Sequence, residues 1–325
     1  NRALAAQLIS RIKVMGRLDI AEKRLPQDGR VSLRVAEFHL DARISTIPTQ
    51  HGERVVMRLL DRGQTRIGVA GLGMTQKMQA KFEQLLERPD GLILVTGPTG
   101  SGKTTTLYAG LDMLNDRQRN IMTIEDPIEY ALPGIAQMQV NPATDLTFSR
   151  GLRALLRQDP NVIMVGEIRD GETARTAVES AMTGHLVLST LHTNSALGSV
   201  ARLLDLGVER FLLAPMLRGL LAQRLVRRLC PACAVSHEAS HSDATLMSNL
   251  LSPGDMIFMG VGGGECHQTG YHGRTALYDL IEVTSQLEHA IADGASEAAL
   301  VAVMQRPVPG LMRDGIVQAQ RSQRI

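Results

Sequence analysis

Gly97-Pro98-Thr99-Gly100-Ser101-Gly102-Lys103-Thr104 has the form G-x-x-x-x-G-K-[ST], and its setting gives the pattern its weight. The apolar run 92–96 stands before it and a helical pattern follows, the strand–loop–helix order that the motif requires. Glycine lets backbone N–H groups close on phosphate oxygens, and the start of the following helix favours an anion. Lys103 adds a mobile positive charge, and the Thr104 hydroxyl is suited to Mg2+. Gly97, Pro98, Thr99, Gly100, Ser101, Gly102, Lys103, Thr104 and Thr105 are therefore the expected nucleotide-binding residues.

Working outward, the runs 121–125, 162–166 and 185–191 are, like 92–96, near-continuously apolar and alternate with helical segments. That alternation predicts an α/β domain on a central parallel sheet covered on both faces. Ligands of such sheets bind at the carboxyl edge of the strands, and two acidic stretches emerge there. Glu125-Asp126-Pro127-Ile128-Glu129 follows one strand, while Val162-Ile163-Met164-Val165-Gly166-Glu167 ends in a carboxylate on the Mg2+ side of the loop. Either Glu129 or Glu167 can orient or deprotonate the attacking water of a hydrolysis. His185 and His192 flank the last of these strands. Near a γ-phosphate His192 would sense nucleotide state through a hydrogen bond; a lone histidine at a strand is as readily structural. Arg150, Arg153 and Arg157 share a helix face by spacing and read as solvated or ion-paired, with no catalytic role.

Upstream, Leu4, Leu8, Ile9, Ile12 and Met15 recur at helical spacing and predict a helix with one buried stripe. After the turn signal Pro26-Gln27-Asp28-Gly29, the runs 30–35, 38–47 and 53–60 have strand composition, so residues 1–62 are expected to form a small α+β domain. The Gly-rich stretch 63–74 reads as a linker and residues 75–229 as the nucleotide-binding core. After Leu203 the pattern is mainly helical, interrupted by Cys230-Pro231-Ala232-Cys233 and the Gly-rich 260–264. Residues 230–282 are expected to be a Cys-containing subdomain and 283–325 a C-terminal helical region.

A hydrophobic content of 44% with 21% charged residues is that of a globular protein. The formal charge of +2 with dispersed basic residues lacks the footprint of a nucleic-acid binder. No apolar run approaches the ~20 residues that cross a bilayer, and the start lacks a signal-peptide core, so the expected location is the cytoplasm. Three cysteines, Cys230, Cys233 and Cys266, are an odd number without an export signal, which points away from disulfides and toward metal.

The glycine-rich loop, Ile124-Glu125-Asp126-Pro127-Ile128-Glu129, Gly166-Glu167-Ile168-Arg169-Asp170 and Thr190-Leu191-His192-Thr193-Asn194 resemble, in order and spacing, the Walker A, Asp-box, Walker B and His-box elements of the type II and type IV secretion ATPase family. Arg11-Ile12-Lys13-Val14-Met15, Gln27-Asp28-Gly29-Arg30, His51-Gly52-Glu53-Arg54-Val55-Val56-Met57-Arg58 and Gly270-Tyr271-His272-Gly273-Arg274 extend the likeness along nearly the whole chain, toward the type II secretion branch. The resemblance implies a RecA-like P-loop domain working as a hexamer. It implies hydrolysis of Mg-ATP to power protein secretion through pseudopilus assembly, or type IV pilus assembly, beside inner-membrane platform proteins. It also implies that Arg43 and Arg58 serve the bound nucleotide, joining Lys103, Glu129, Glu167 and His192 in the catalytic set. A non-hydrolysing nucleotide-binding scaffold and a related pilus-retraction or DNA-translocating motor are the alternatives.

By the same resemblance Cys230, Cys233 and Cys266 match three cysteines of a four-cysteine zinc element whose remaining ligand falls on Gly263. Zn2+ would then need three thiolates with His237, His241 or His267, the adjacency of Cys266 and His267 being awkward; the other reading is free thiols in a subdomain held by packing. Relatives carry further strands before the first helix and a separate partner-binding domain, so a truncated form is expected.

Overall fold

The computed structural model describes residues 2–35, 38–61, 67–246, 251–305 and 310–322, in two units, Asn1–Arg66 and Ile67–Ile325. In the first, helix α1 (Arg2–Met15) precedes an antiparallel meander of β1 (Gln27–Val35), β2 (Phe38–Thr49) and β3 (Gly52–Asp61). The expected stripe on α1 is only partly buried: Leu4 and Leu8 are 54% and 61% exposed, and the buried position is Lys13 at 1%. Lys13 forms an ion pair with Glu53 and donates to the Glu22 carbonyl at 2.7 Å. A Cβ on Gly16 would lie 3.0 Å from Ile44 Cδ1, so the helix meets the sheet at its C-terminal end and its leading leucines lie outside that contact.

Of the stretch expected as a linker, residues 63–66 lie outside the described residues. The rest is less hinge-like than its glycines suggest. Val69–Leu72 form a 3-10 turn with Val69 and Leu72 buried in the core of the second unit, and Tyr278 donates its hydroxyl to the Leu72 carbonyl at 3.1 Å. Two apolar anchors outweigh the loop composition.

The second unit contains α2 (Gln76–Leu86), β4 (Gly91–Thr96), α3 (Lys103–Leu114), β5 (Ile121–Glu125), β6 (Ala136–Gln139), α4 (Phe148–Leu155), β7 (Val162–Val165), α5 (Gly171–Met182), β8 (Leu186–Leu191), α6 (Gly198–Asp205), α7 (Arg210–Leu213) and β9 (Leu217–Leu229). There follow β10 (Ala234–Glu238), α8 (His241–Leu246), β11 (Met256–Gly260), β12 (Tyr271–Glu282), α9 (Ser285–Ala292), α10 (Glu297–Val303) and α11 (Gly310–Ser322). The central sheet runs β12-β9-β4-β8-β7-β5-β6; its pairs are parallel from β9 to β6, and only β12 is antiparallel to its neighbour. Alternation along β4 explains the two cores. Leu92 and Leu94 pack on one face with Leu152, Val178, Leu203 and Leu287, while Ile93 and Val95 pack on the other with Phe82, Leu85, Leu107 and Leu111.

The region after Leu203, expected to be mainly helical, instead carries the two long strands β9 and β12. A leucine-rich run such as Leu220-Leu221-Ala222 suits a helix by propensity, but pairing with β4 on one side and β12 on the other overrides it. Tyr271–Glu282, placed by sequence in the Cys-containing subdomain, is thus an edge strand of the main sheet, and what stands apart is the β10–β11 pair. The C-terminal helices contribute Leu287, Ile291 and Leu300 to the main core.

Candidate functional site

Thr96, the last residue of β4, is paired with Leu191 of β8 on one side and Ala222 of β9 on the other. The loop that follows is therefore held between His192 and Gln223. Gly97, Gly100 and Gly102 have φ of 149°, 77° and 88°, conformations that L side chains rarely adopt. A Cβ on Gly97 would sit 2.3 Å from the Gln223 carbonyl oxygen, and one on Gly102 would sit 2.7 Å from Gln223 Nε2. Lys103, 8% exposed, donates through Nζ to the carbonyls of Gly97 at 2.8 Å and Pro98 at 3.1 Å. Burial pushes its ammonium below the ordinary lysine range; the Glu167 carboxylate opposes this and the Arg224 charge adds to it. Thr104 and Thr105, half-buried, occupy the first turn of α3.

Ser101 Oγ is buried with no hydrogen-bond partner among the described residues. A strained glycine cradle, a helix N-terminus, a buried ammonium and an unsatisfied hydroxyl together fit a phosphate-bearing ligand.

The ground under this loop is tied together. Thr193 N donates to Thr96 Oγ1 at 3.0 Å, the two hydroxyls lie 2.5 Å apart, and Thr193 Oγ1 donates to the Ser195 carbonyl at 2.9 Å. On the other side Thr106 Oγ1 donates to Gln223 Oε1 at 2.7 Å, and Arg224 Nη2 donates to Asn194 Oδ1 at 3.1 Å. The strand carrying Gln223 and the loop carrying His192 are thus joined around the glycines.

Glu167 leaves β7 at the same edge with its side chain 13% exposed, ion-paired to Arg169 at 2.6 Å and 3.5 Å from His192 Nε2. Glu125, at the end of β5, is 3% exposed. Its carboxylate accepts from Thr123 Oγ1 at 2.5 Å, from Gln137 Nε2 at 3.1 Å and from the Tyr108 hydroxyl. Burial pushes this carboxyl up, with the three donors working against the shift; burial likewise raises the Tyr108 phenol well above its usual range, reinforced by the Glu125 charge. Glu129 is exposed, and its backbone amide donates to the Tyr108 oxygen at 3.3 Å.

The parallel sheet thus collects Lys103, Thr104, Glu129, Glu167 and His192 at the carboxyl ends of its strands. His185 is elsewhere: its Nδ1 lies 2.8 Å from the Ser180 carbonyl and 3.0 Å from Thr183 Oγ1 at the start of β8, a structural position. Arg43 and Arg58 belong to the first unit, where the register sets them directly opposite one another on one face, with Arg30 opposite Arg43. Arg150 and Arg153 are ion-paired with Asp145 and Glu172.

Cys230, Cys233 and Cys266 do meet, their sulfurs all within 4.8 Å of one another. No histidine or acid among the described residues joins them, so His237, His241 and His267 do not complete the group. Among the described residues three thiols gather where a structural zinc site needs four ligands.

Sequence reading passed over Tyr108, Gln137, Gln223 and Arg224, and gave Glu125 no role of its own. A carboxylate at the end of the apolar run Ile121-Met122-Thr123-Ile124 and a Gln-Arg pair inside a leucine run were the available signals. The contacts that tie them together across the fold, Tyr108 and Gln137 with Glu125, Gln223 with Thr106 and Arg224 with Asn194, span 12 to 117 residues, beyond any local pattern.

Residues 1–324 match the family described as Type II/IV secretion system protein. Among relatives, Type II secretion system protein E of Pseudomonas aeruginosa is 54% identical over 315 residues, 97% of this chain and 63% of that protein. Type II secretion system ATPase E of Vibrio cholerae is 52% identical over 316 residues, with coverage of 97% and 63%. The chain therefore spans somewhat less than two thirds of these relatives' length. Among solved structures, the pilus retraction motor PilT with bound ADP superposes with a TM-score of 0.67 at 29% identity, covering 93% of this chain and 75% of that one.

Proposed function

The chain belongs to the type II/IV secretion system protein family, and we propose on that premise that it is the Mg-ATP-hydrolysing part of a motor that powers type II protein secretion by pseudopilus assembly, or type IV pilus assembly. The observation that carries this reading is the loop Gly97–Gly102 itself, whose three positive-φ glycines and buried Lys103 form a cradle for a triphosphate.

In this reading the backbone N–H groups at the start of α3 bind the β- and γ-phosphates, and Lys103 leaves the Gly97 and Pro98 carbonyls to neutralise developing charge on them. The Thr104 hydroxyl and the Glu167 carboxylate would hold Mg2+, which would supply charge neutralisation at the phosphates. Glu167 is already engaged by Arg169 and neighbours His192, which suits a metal-side carboxylate whose state His192 senses. Glu129, exposed but anchored through its amide to Tyr108, is then the better group to orient the attacking water and take its proton. ADP and phosphate are the products.

Arg43 and Arg58 present guanidinium groups on one sheet face, a form suited to bidentate phosphate contact. We assign them to the nucleotide in a homo-oligomeric ring, a hexamer, in which hydrolysis depends on the relative position of neighbouring subunits. No helix among the described residues is long and apolar enough to cross a membrane; a cytoplasmic location with attachment through inner-membrane platform proteins is part of the same proposal.

The test is turnover of ATP against protein concentration, with Lys103→Ala alongside. Specific activity that rises with concentration and vanishes in the variant supports an interface motor. ATP binding without turnover at any concentration supports instead a scaffold subunit that does not hydrolyse.

A further inference from the structure

Arg224 stands one residue past the floor of the glycine-rich loop. Before it on β9, Gln223 presents its carbonyl oxygen 2.3 Å from where a Cβ on Gly97 would be, and Ala222 pairs with Thr96 at the end of β4. By strand alternation Arg224 shares a face with Leu220 and Ala222 of one core, whereas α3 packs on the other through Leu107 and Leu111. Lys103 and Arg224 thus approach the end of β4 from opposite faces of the sheet.

The guanidinium does not stay over its own strand. In the sheet β4 lies between β9 and β8, and Arg224 Nη2 reaches past it to the loop after β8. There it donates to Asn194 Oδ1 at 3.1 Å and to the Asn194 carbonyl at 3.4 Å. With neighbouring strands about 4.8 Å apart, the span is about 10 Å, laid across the point from which the loop departs. Burial is the main reason that the Lys103 ammonium is depressed; Glu167 opposes the shift and the Arg224 charge adds to it, so the two cations are close enough to repel.

Among the described residues no carboxylate neutralises Arg224. It is half-buried, and its partners are the two Asn194 oxygens, both neutral. The carboxylate at this edge, Glu167, is engaged by Arg169 at 2.6 Å. Asn194 is itself exposed and sits between two anchored residues: the Thr193 amide is bonded to Thr96 Oγ1, and Ser195 Oγ donates to Glu297 Oε1 at 2.6 Å. The acceptor is therefore fixed, and the cation can leave it. A hydrogen bond to a charged acceptor is roughly twice as strong as one to a neutral acceptor, and the guanidinium fork is matched to phosphate.

We infer that Arg224 is the residue by which this site tells a nucleoside triphosphate from the diphosphate: its guanidinium gives up Asn194 for the terminal phosphate, opposite Lys103 and within the same chain. The diphosphate lacks that group, so with it the bond between Arg224 and Asn194 persists. The inference rests on the nucleotide reading of the glycine-rich loop and adds a specificity-determining residue to it.

The experiment titrates the full 325-residue chain with ADP or with a β,γ-imido ATP analogue, each with Mg2+, by calorimetry. Arg224→Ala is expected to lose about ten-fold or more in affinity for the triphosphate analogue and less than about three-fold for ADP. Arg224→Lys, which keeps the charge without the fork, should fall between. Asn194→Ala, which lacks the competing acceptor, should hold the triphosphate at least as tightly as the wild-type chain. Equal losses for the two nucleotides, or no loss for the triphosphate, overturn the inference, since a purely structural strut would serve both alike. Lys103→Ala separates the two readings. If the wild-type chain binds both nucleotides and Lys103→Ala weakens both, the cradle stands whatever Arg224→Ala shows; if the wild-type chain binds neither, the nucleotide reading fails and the inference with it. Should Arg224→Ala fail to fold by circular dichroism, Arg224→Lys decides by the same comparison.

Discussion

Replacing Tyr108 by Phe removes one hydroxyl from an enclosed polar cluster of the second unit, and the cost should depend on pH in a direction the structure dictates. Tyr108 and Glu125 are 1% and 3% exposed, so water does not readily replace the lost donor. A hydrogen bond to a charged group contributes about 1.5–3 kcal/mol and one between neutral groups about 0.5–1.5 kcal/mol; the variant should therefore lose about 2 kcal/mol with Glu125 ionised and about 1 kcal/mol with it protonated. Burial raises the Glu125 carboxyl above its usual 4.5, so the folded chain holds this proton more tightly than the unfolded chain. The contribution of the group is complete below that usual value and is lost as pH rises through the folded one. In Tyr108→Phe a donor that favours the charged form is gone, the folded value climbs further, and the loss on raising pH becomes larger. The chain has no Trp, so urea unfolding would be followed by far-ultraviolet circular dichroism at a series of pH values from 4 to 8. A destabilisation that is flat across this range, or that grows toward acid, refutes the argument.

Gly102→Ala places a side chain at φ 88°, costing about 1–2 kcal/mol, and pushes Gln223 Nε2 off its position. Nucleotide affinity, read with a fluorescent ATP analogue, should fall about ten-fold or more with circular dichroism unchanged, and unaltered affinity would remove the cradle from its role. Lys13→Ala leaves Glu53, whose side chain is 10% exposed, without its ion-pair partner, a loss of about 3 kcal/mol, the lower end of the range for a buried pair. Hydrogen exchange should accelerate across residues 2–61 and not across the sheet of the second unit; uniform exchange would show that the pair does not hold the first unit.

How far each feature could be read in the sequence follows from the range of the interaction behind it. The glycine-rich loop is contiguous, its glycines are needed by local backbone geometry, and the buried strands around it are short apolar runs; both were legible. The placement of Glu167 and His192 near each other was legible too, because strand ends in a parallel sheet all emerge at one edge. The helix α1 shows the opposite case. Its apolar spacing was plain, yet Lys13, and not the leucines at positions 4 and 8, is the buried residue, held there by an ion pair to Glu53 on β3 and a hydrogen bond to the Glu22 carbonyl.

The glycine-rich loop and the short apolar runs around it were enough by themselves to give an α/β chain with a parallel sheet and a glycine cradle at its edge, since each is a contiguous, local pattern. Only the tertiary structure decided that the leucine run of β9 is a strand, for its partners β4 and β12 lie far off in the chain. It alone placed Gln223 beneath the loop and Tyr108 between Glu125 and Glu129. It also brought together three thiols, Cys266 lying 33 residues beyond Cys233. The physical reason is common to all of these: a buried polar or thiol group is satisfied by whatever the folded backbone carries to it, and side-chain periodicity records which face is buried without recording against what.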